Sequence, residues 1–273
     1  MEKKLKIGIV GCGAIGSTLA EAIRENLSKG AELASLYDTD LGKCYKLANI
    51  SGNKKLAALN LDALINKANL VIEATKAASA FEIAKKCLAF SKDIMIMSVG
   101  GIIEHYKELE LLAKGKKAKI YIPSGAVCGI DGLKALANSR INKVTLTTKK
   151  PPKAFLGASY ISKRKIRLDN LKEDTVIFEG DAYSAIRVLP QNVNVAATLS
   201  IAGIGPKDTV IRIVASPEVT RNVHEIEIEA EAGKIVARTE NIAHPDNPKT
   251  SYLAALSAIA YLKQIIGSLK VGT

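Results

Sequence analysis

The chain has 273 residues, 48% of them hydrophobic and 24% charged, with a formal net charge of +12. That length points to two domains, and the composition is that of a packed globular chain, which excludes a disordered tail, a collagen-like rod and a disulfide-stapled miniprotein. The positive balance suits an anionic cofactor and an anionic substrate as well as it suits nucleic acid, so charge alone does not choose between them.

In chain order, the first half alternates short β-branched runs with longer amphipathic ones. Strands are expected at residues 6–10 (KIGIV), 33–37, 70–73 (LVIE), 94–98 (IMIMS) and 119–122. Helices are expected between them at 15–26, 41–48, 61–67, 77–88 and 103–114. Strands without clean alternation, separated by helices, indicate a parallel sheet covered on both faces, the doubly wound α/β architecture. After Pro123 the grammar changes to strands lying close together: 143–148, 175–178, 210–215, and 224–230 followed by 234–239. In the last pair Glu225, Glu227 and Glu229 share one face and Ile226 and Ile228 the other, which reads as an antiparallel hairpin around Gly233 with one wet face. Helices near 182–189 and 196–201 interrupt this second sheet. A final helix is expected to open at Asn247-Pro248, an N-cap followed by a favoured first-turn proline, and to run to about residue 266. The expected organisation is α/β: a doubly wound domain over 1–124, a second α+β domain with a mixed or antiparallel sheet over 125–246, and a terminal helix over 247–273 packing back on the first.

The strongest local signal is Gly11-Cys12-Gly13-Ala14-Ile15-Gly16, which closes the first strand and opens the first helix. In that context the first glycine permits the tight turn, the second lets a pyrophosphate approach the backbone, and the third lets helix pack on strand. The helix start adds free N–H donors and a positive dipole end. Asp38 ends the second strand, where a carboxylate accepts from both ribose hydroxyls and repels a 2′-phosphate. A Rossmann nucleotide site for NAD or NADP is expected, with NAD favoured although the nearby Lys43 could compensate a phosphate; the competing reading is a glycine-rich turn of an α/β protein with no nucleotide.

The three histidines are the natural proton-transfer groups near neutral pH. His105, among charged neighbours, and His244, in a polar loop, read as surface residues. His224 stands at the start of a strand after Thr220-Arg221-Asn222, and an edge position facing a cleft is expected. By itself it fits a packed strand residue as well as a catalytic group. Pro123-Ser124-Gly125-Ala126, at the end of the fifth strand, and Gln191-Asn192-Val193-Asn194, before a small-residue helix, look overspecified for packing alone. The four cysteines have no metal-binding spacing, so reduced thiols in a cytoplasmic protein and no metal site are expected. The charged start, residues 1–6, carries no sign of a secretory signal, and no apolar run is long enough to span a bilayer.

On these residues the chain resembles the L-aspartate dehydrogenases. The likeness covers KIGIVGCGAIG at 6–16, SVGGI at 98–102, YIPSGAVCGIDGLKAL at 121–136, TTKKPP at 147–152 and FEG at 178–180. It continues through PQNVNVAATL at 190–199, VTRNVHEIE at 219–227 and NPKTSYLAALSA at 247–258. Cys128 departs from a glycine expected in many relatives. The resemblance implies that His224 is the active-site histidine and that Ala126 and Asn194 contact the cofactor. It implies NAD(P)-dependent oxidation of L-aspartate to iminoaspartate, which hydrolyses to oxaloacetate and ammonia. It also implies a homodimer formed through the second-domain sheet, and delivery of iminoaspartate to quinolinate synthase for NAD synthesis. Asn192, Arg221 and Lys249 are the expected substrate-binding residues. Two other readings compete. One is a different two-domain oxidoreductase, of the homoserine dehydrogenase or dihydrodipicolinate reductase type; neither a paired-histidine loop nor a longer lysine-bearing catalytic region is visible. The other is an NAD(H)-sensing regulator bound to DNA. The lysines are dispersed, no helix-turn-helix is legible, and Trp is absent, so no nucleic-acid partner is expected.

Overall fold

Five strands, β1 (Leu5–Val10), β2 (Ala31–Tyr37), β3 (Leu70–Glu73), β4 (Asp93–Ile96) and β5 (Ile120–Tyr121), form a parallel sheet in the order β2-β1-β3-β4-β5. The computed structural model describes residues 3–189 and 193–272. Their division is into one unit of Met1–Pro123 with Ala254–Val271, and a second of Ser124–Leu253 with Gly272–Thr273. In the first unit β3 is buried along its whole length, as expected for an interior strand with helices on both faces. The helices are α1 (Ala14–Glu25), α2 (Leu41–Ile50), α3 (Leu61–Lys67), α4 (Ala77–Ala89) and α5 (Tyr106–Lys116). Asp40 and Asn60 cap α2 and α3, accepting from the Lys43 and Ala63 N–H groups. The strand order reverses at β1, with β2 on one side and β3 on the other, so the carboxyl ends of β1 and β3 bound the crevice where open α/β sheets take their ligands.

The second unit holds a mixed five-stranded sheet. Its members are β6 (Ile141–Lys150), β7 (Thr175–Asp181), β8 (Thr209–Ala215), β9 (Asn222–Ala230) and β10 (Gly233–Asn241), in the order β10-β9-β6-β8-β7. Only β6 and β8 run parallel; the other three pairings are antiparallel. The hairpin turns between Ala230 and Gly233, which pair directly. Thr148 and His224 are register partners, as are Leu146 with Ile226 and Val144 with Ile228, so these six side chains share one face. Helix α6 (Ile130–Leu136) lies against that face: a Cβ on Gly132 would meet the Ile235 side chain at 2.5 Å. Three further helices, α7 (Ser159–Lys163), α8 (Ala182–Val188) and α9 (Val193–Ala202), complete the unit. The opposite face carries Glu225, Glu227 and Glu229, paired with Arg238, Lys149 and Lys234.

The C-terminal segment departs from the sequence expectation. Asn247-Pro248 does not open a helix. Asn247–Ser251 is strand β12, paired with β11 (Ala243–His244) in a two-stranded sheet. A proline, lacking an N–H, is tolerated at such an edge. The Asp246 N–H donates to His244 Nδ1 across the turn at 3.1 Å, and within β12 Asn247 Nδ2 donates to Thr250 Oγ1 at 3.1 Å. Helix α10 starts at Tyr252, whose N–H donates to the Ile242 carbonyl, and ends at Ile266. Ala258 and Leu262 of α10 are fully buried in one core with Ile7, Ile9, Leu19, Ile23 and Ile72. Truncating Leu262 to alanine is expected to cost about 2–5 kcal/mol of unfolding free energy, read from urea denaturation of the two proteins.

Candidate active site

In the first unit, β1 ends at Val10 and the chain turns through Gly11 into α1. Gly11 has φ +100°, and a Cβ there would run into the Ala74 carbonyl. A Cβ on Gly16 would run into the Gly11 carbonyl, so strand and helix approach as closely as backbones can. Gly13 differs: no heavy atom lies within 4 Å of the place its Cβ would take. It starts α1 without a side-chain cap, and no acidic residue occupies the first turn. The N–H groups of Ala14, Ile15 and Gly16 are therefore the orphan donors of an uncapped helix start. A pyrophosphate laid on Gly13 would fill the missing side-chain volume and satisfy them. Asp38, just past β2, accepts the Cys12 N–H through Oδ2 at 2.7 Å and the Asp40 N–H through Oδ1 at 2.9 Å. Each oxygen keeps a lone pair for a ribose hydroxyl. Lys43 turns its ammonium to Asp40 at 3.6 Å. This constellation fits a dinucleotide.

One residue of this crevice escaped the sequence reading. Glu73, the last residue of β3, is fully buried. Its Oε1 accepts the Thr75 N–H at 2.7 Å and the Thr75 hydroxyl at 2.6 Å, while Oε2 accepts the Ser98 N–H at 3.0 Å. Ser98 Oγ donates back to the Thr75 carbonyl at 2.9 Å. One carboxylate thus ties together the loops that follow β3 and β4, and three hydrogen bonds compensate its burial. The signal was an acid closing an otherwise wholly apolar strand.

In the second unit His224 sits on β9, the second strand in from the edge, and not on the edge strand expected. It is buried, and its Nδ1 lies 3.0 Å from Thr148 Oγ1. Burial lowers its pKa to about 4, helped by the positive charge of Lys150. The imidazole is therefore neutral at pH 7 and keeps one nitrogen lone pair. Lys150 ends β6 two residues beyond Thr148, and burial pulls its ammonium down to about 8. It is the second lysine of TTKKPP at 147–152. Strand periodicity was the available signal, since residues 148 and 150 must share a face.

Comparison with known proteins agrees with this geometry. Residues 131–265 match the family described as "Aspartate dehydrogenase, C-terminal", and residues 11–123 match "Homoserine dehydrogenase, NAD binding domain". The chain is 43% identical to an L-aspartate dehydrogenase of Methanosarcina mazei, covering 98% of this chain and 100% of that protein. The chain belongs to the L-aspartate dehydrogenase family. An L-aspartate dehydrogenase of Methanocaldococcus jannaschii is 38% identical over the same shares of the two chains. An aspartate dehydrogenase from Thermotoga maritima, of known crystal structure, shares the fold with a TM-score of 0.74 at 23% identity, covering 99% of this chain and 100% of that one.

The remaining residues expected to serve an aspartate dehydrogenase site are placed as follows. Ala126 is buried, and its carbonyl accepts from Asn241 Nδ2 at 2.9 Å; Asn241 Oδ1 in turn accepts from Ser251 Oγ at 2.7 Å. Asn194 lies exposed in the first turn of α9, and Arg221 is exposed just before β9. Asn192 and the Lys249 side chain fall outside the described residues. Cys128 is exposed. His105 is half-exposed and stacks on Phe81, with ring centroids 4.3 Å apart. His244 is not at the surface as expected. It is buried, its Nδ1 accepts the Asp246 N–H at 3.1 Å, and its ring meets Tyr252 edge-on. The β11–β12 pairing draws it inward.

The depressed basicity of His224 has a consequence for stability. As pH falls below about 6.5, the unfolded chain takes up a proton at this imidazole that the folded chain refuses until about pH 4. Folding free energy should therefore drop across that window, by about 3 kcal/mol from this group if its full shift is realised. Urea midpoints of wild type and His224→Gln between pH 7 and 4 should show a steeper acid loss in the wild type. Parallel curves would mean that the imidazole is not desolvated.

Proposed function

We propose that the protein is an NAD(P)-dependent L-aspartate dehydrogenase. L-Aspartate and NAD⁺ give iminoaspartate, NADH and a proton, and water then converts the imine to oxaloacetate and ammonia. The observation that supports this most directly is a buried, neutral histidine in the second unit of a chain whose first unit carries a complete dinucleotide turn. Bound at Gly13, the dinucleotide supplies the acceptor for the hydride that leaves the substrate Cα.

The chain's own residues supply position and proton traffic. The α1 N-terminus binds the pyrophosphate, and Asp38 holds the adenosine ribose. Glu73 fixes the Thr75 and Ser98 loops at the carboxyl edge of the sheet, so that this wall does not relax when ligand enters. Ala126 and Asn194 are assigned to the cofactor, and Asn192, Arg221 and Lys249 to the substrate carboxylates. At His224, Nδ1–H donated to Thr148 leaves the Nε2 lone pair to accept a proton from the substrate amine or from the water that attacks the imine. Its low proton affinity keeps that lone pair available at neutral pH.

The same reading extends to a cytoplasmic homodimer that joins its copies through the second-unit sheet and passes iminoaspartate to quinolinate synthase for NAD synthesis. The Glu225–Glu229 face of that sheet also exposes Val236. The described helices include none long and apolar enough to cross a membrane.

The deciding experiment is steady-state NADH oxidation with oxaloacetate and ammonium. Wild type should turn over, and His224→Ala should keep NADH affinity while losing turnover by about two to four orders of magnitude. Near-wild-type turnover in the variant would remove His224 from the mechanism. Asp38→Ala is expected to raise KM for NAD more than for NADP, because only the unphosphorylated ribose uses the carboxylate; an equal rise in both would show that Asp38 does not read the ribose.

A further inference from the structure

Adjacent lysines at the end of β6 have opposite fates. Lys149 points to the outer face of the sheet, where it pairs with Asp174 at 3.2 Å and Glu225 at 3.8 Å. Lys150, one residue on, points to the inner face with Thr148 and His224. It is only partly exposed, and desolvation lowers the basicity of its ammonium with no anion among the described residues offsetting it. From the neighbouring strands the same face presents His224 on β9, Thr239 on β10, and Ile213 and Ala215 on β8. None of these is an anion. From outside the sheet the Cys128 thiol reaches Thr239 at 4.0 Å; among the described residues of these strands, the titratable group beside Lys150 on this face is an imidazole whose positive form Lys150 disfavours.

A desolvated cation without a counter-ion is costly, and protein interiors seldom keep one unless something else supplies the charge. Lys150 lies diagonally across the β6–β9 ladder from His224, two residues beyond its partner Thr148, and its charge is close enough to be felt by the imidazole. We propose that the Lys150 ammonium holds one carboxylate of the dicarboxylate substrate, with the His224 imidazole beside the reacting carbon. This assignment rests on the dehydrogenase reading for the identity of the substrate, but not for the anion site itself. It also gives substrate binding a second effect. A carboxylate seated on Lys150 cancels the charge that opposes protonation of His224, so the imidazole becomes a better proton acceptor only when the diacid is present.

The test uses succinate, a four-carbon dicarboxylate with no amine to react, titrated calorimetrically into the full-length protein saturated with NADH. Wild type should bind it, and affinity should fall as pH rises past about 8, where the ammonium loses its proton. Lys150→Met should weaken succinate about 10- to 100-fold, the scale of a lost charge-assisted hydrogen bond, and remove the pH dependence. Unchanged NADH affinity in that variant shows that it is folded. Lys150→Arg should restore binding and hold it level to pH 10, since guanidinium does not titrate there. A purely packing role would give neither the rescue nor the change in pH profile.

Wild-type succinate affinity in Lys150→Met, or an alkaline loss that persists in Lys150→Arg, overturns the proposal, as does failure of succinate to bind the wild type. The two readings fail separately. Succinate binding that depends on Lys150 in a protein that does not reduce NAD with L-aspartate keeps the anion site and rejects the dehydrogenase. Aspartate turnover with Lys150-independent succinate binding does the reverse.

Discussion

The candidate site of the second unit depends on keeping the His224 imidazole dry. His224 takes a place on the inner face of a mixed sheet that would ordinarily go to an aliphatic residue, in line with Ile226 and Ile228. Burial there costs the charged form far more than the neutral one, and the Lys150 ammonium adds electrostatic pressure in the same direction. The result is a proton acceptor held empty at neutral pH. Thr148, its partner across the β6–β9 ladder, lies 3.0 Å from Nδ1 and so fixes the orientation of the ring. The sheet thus serves as a rigid frame that sets protonation state and ring orientation together.

The dinucleotide turn obeys a different constraint, that of backbone approach. Gly11 and Gly16 are needed because peptide carbonyls occupy the space that side chains would take. Gly13 is needed because the space beside it is empty, and an uncapped helix start faces it. A buried carboxylate, Glu73, braces the adjacent loops through three accepted hydrogen bonds. It is a costly device, stabilised by those three bonds, and it fixes the loops at the carboxyl edge of the sheet.

The exposed cations of the second sheet are paired. On the outer face of the second sheet, Lys149, Lys234 and Arg238 are matched to Glu225, Glu227, Glu229 and Glu240. Such exposed pairs contribute little individually. What distinguishes Lys150 from them is the face on which it falls, a matter of one residue of register.

The glycine turn, the alternation of strand and helix in the first half and the Glu/Ile hairpin were legible in the amino-acid sequence, because each rests on local periodicity or a short-range motif. Asn247-Pro248 misled, since an N-cap and a strand-edge proline look alike until the β11–β12 partner is known. The burial of His244 and the bracing role of Glu73 were invisible for a related reason: each depends on a partner supplied by folding, and desolvation belongs to a neighbourhood and not to a residue. Local chemistry along the chain determined which groups are available. Only the tertiary arrangement, by fixing register and excluding water, decided that His224 is neutral, that Thr148 orients it, and that of two successive lysines one is paired and the other waits for an anion.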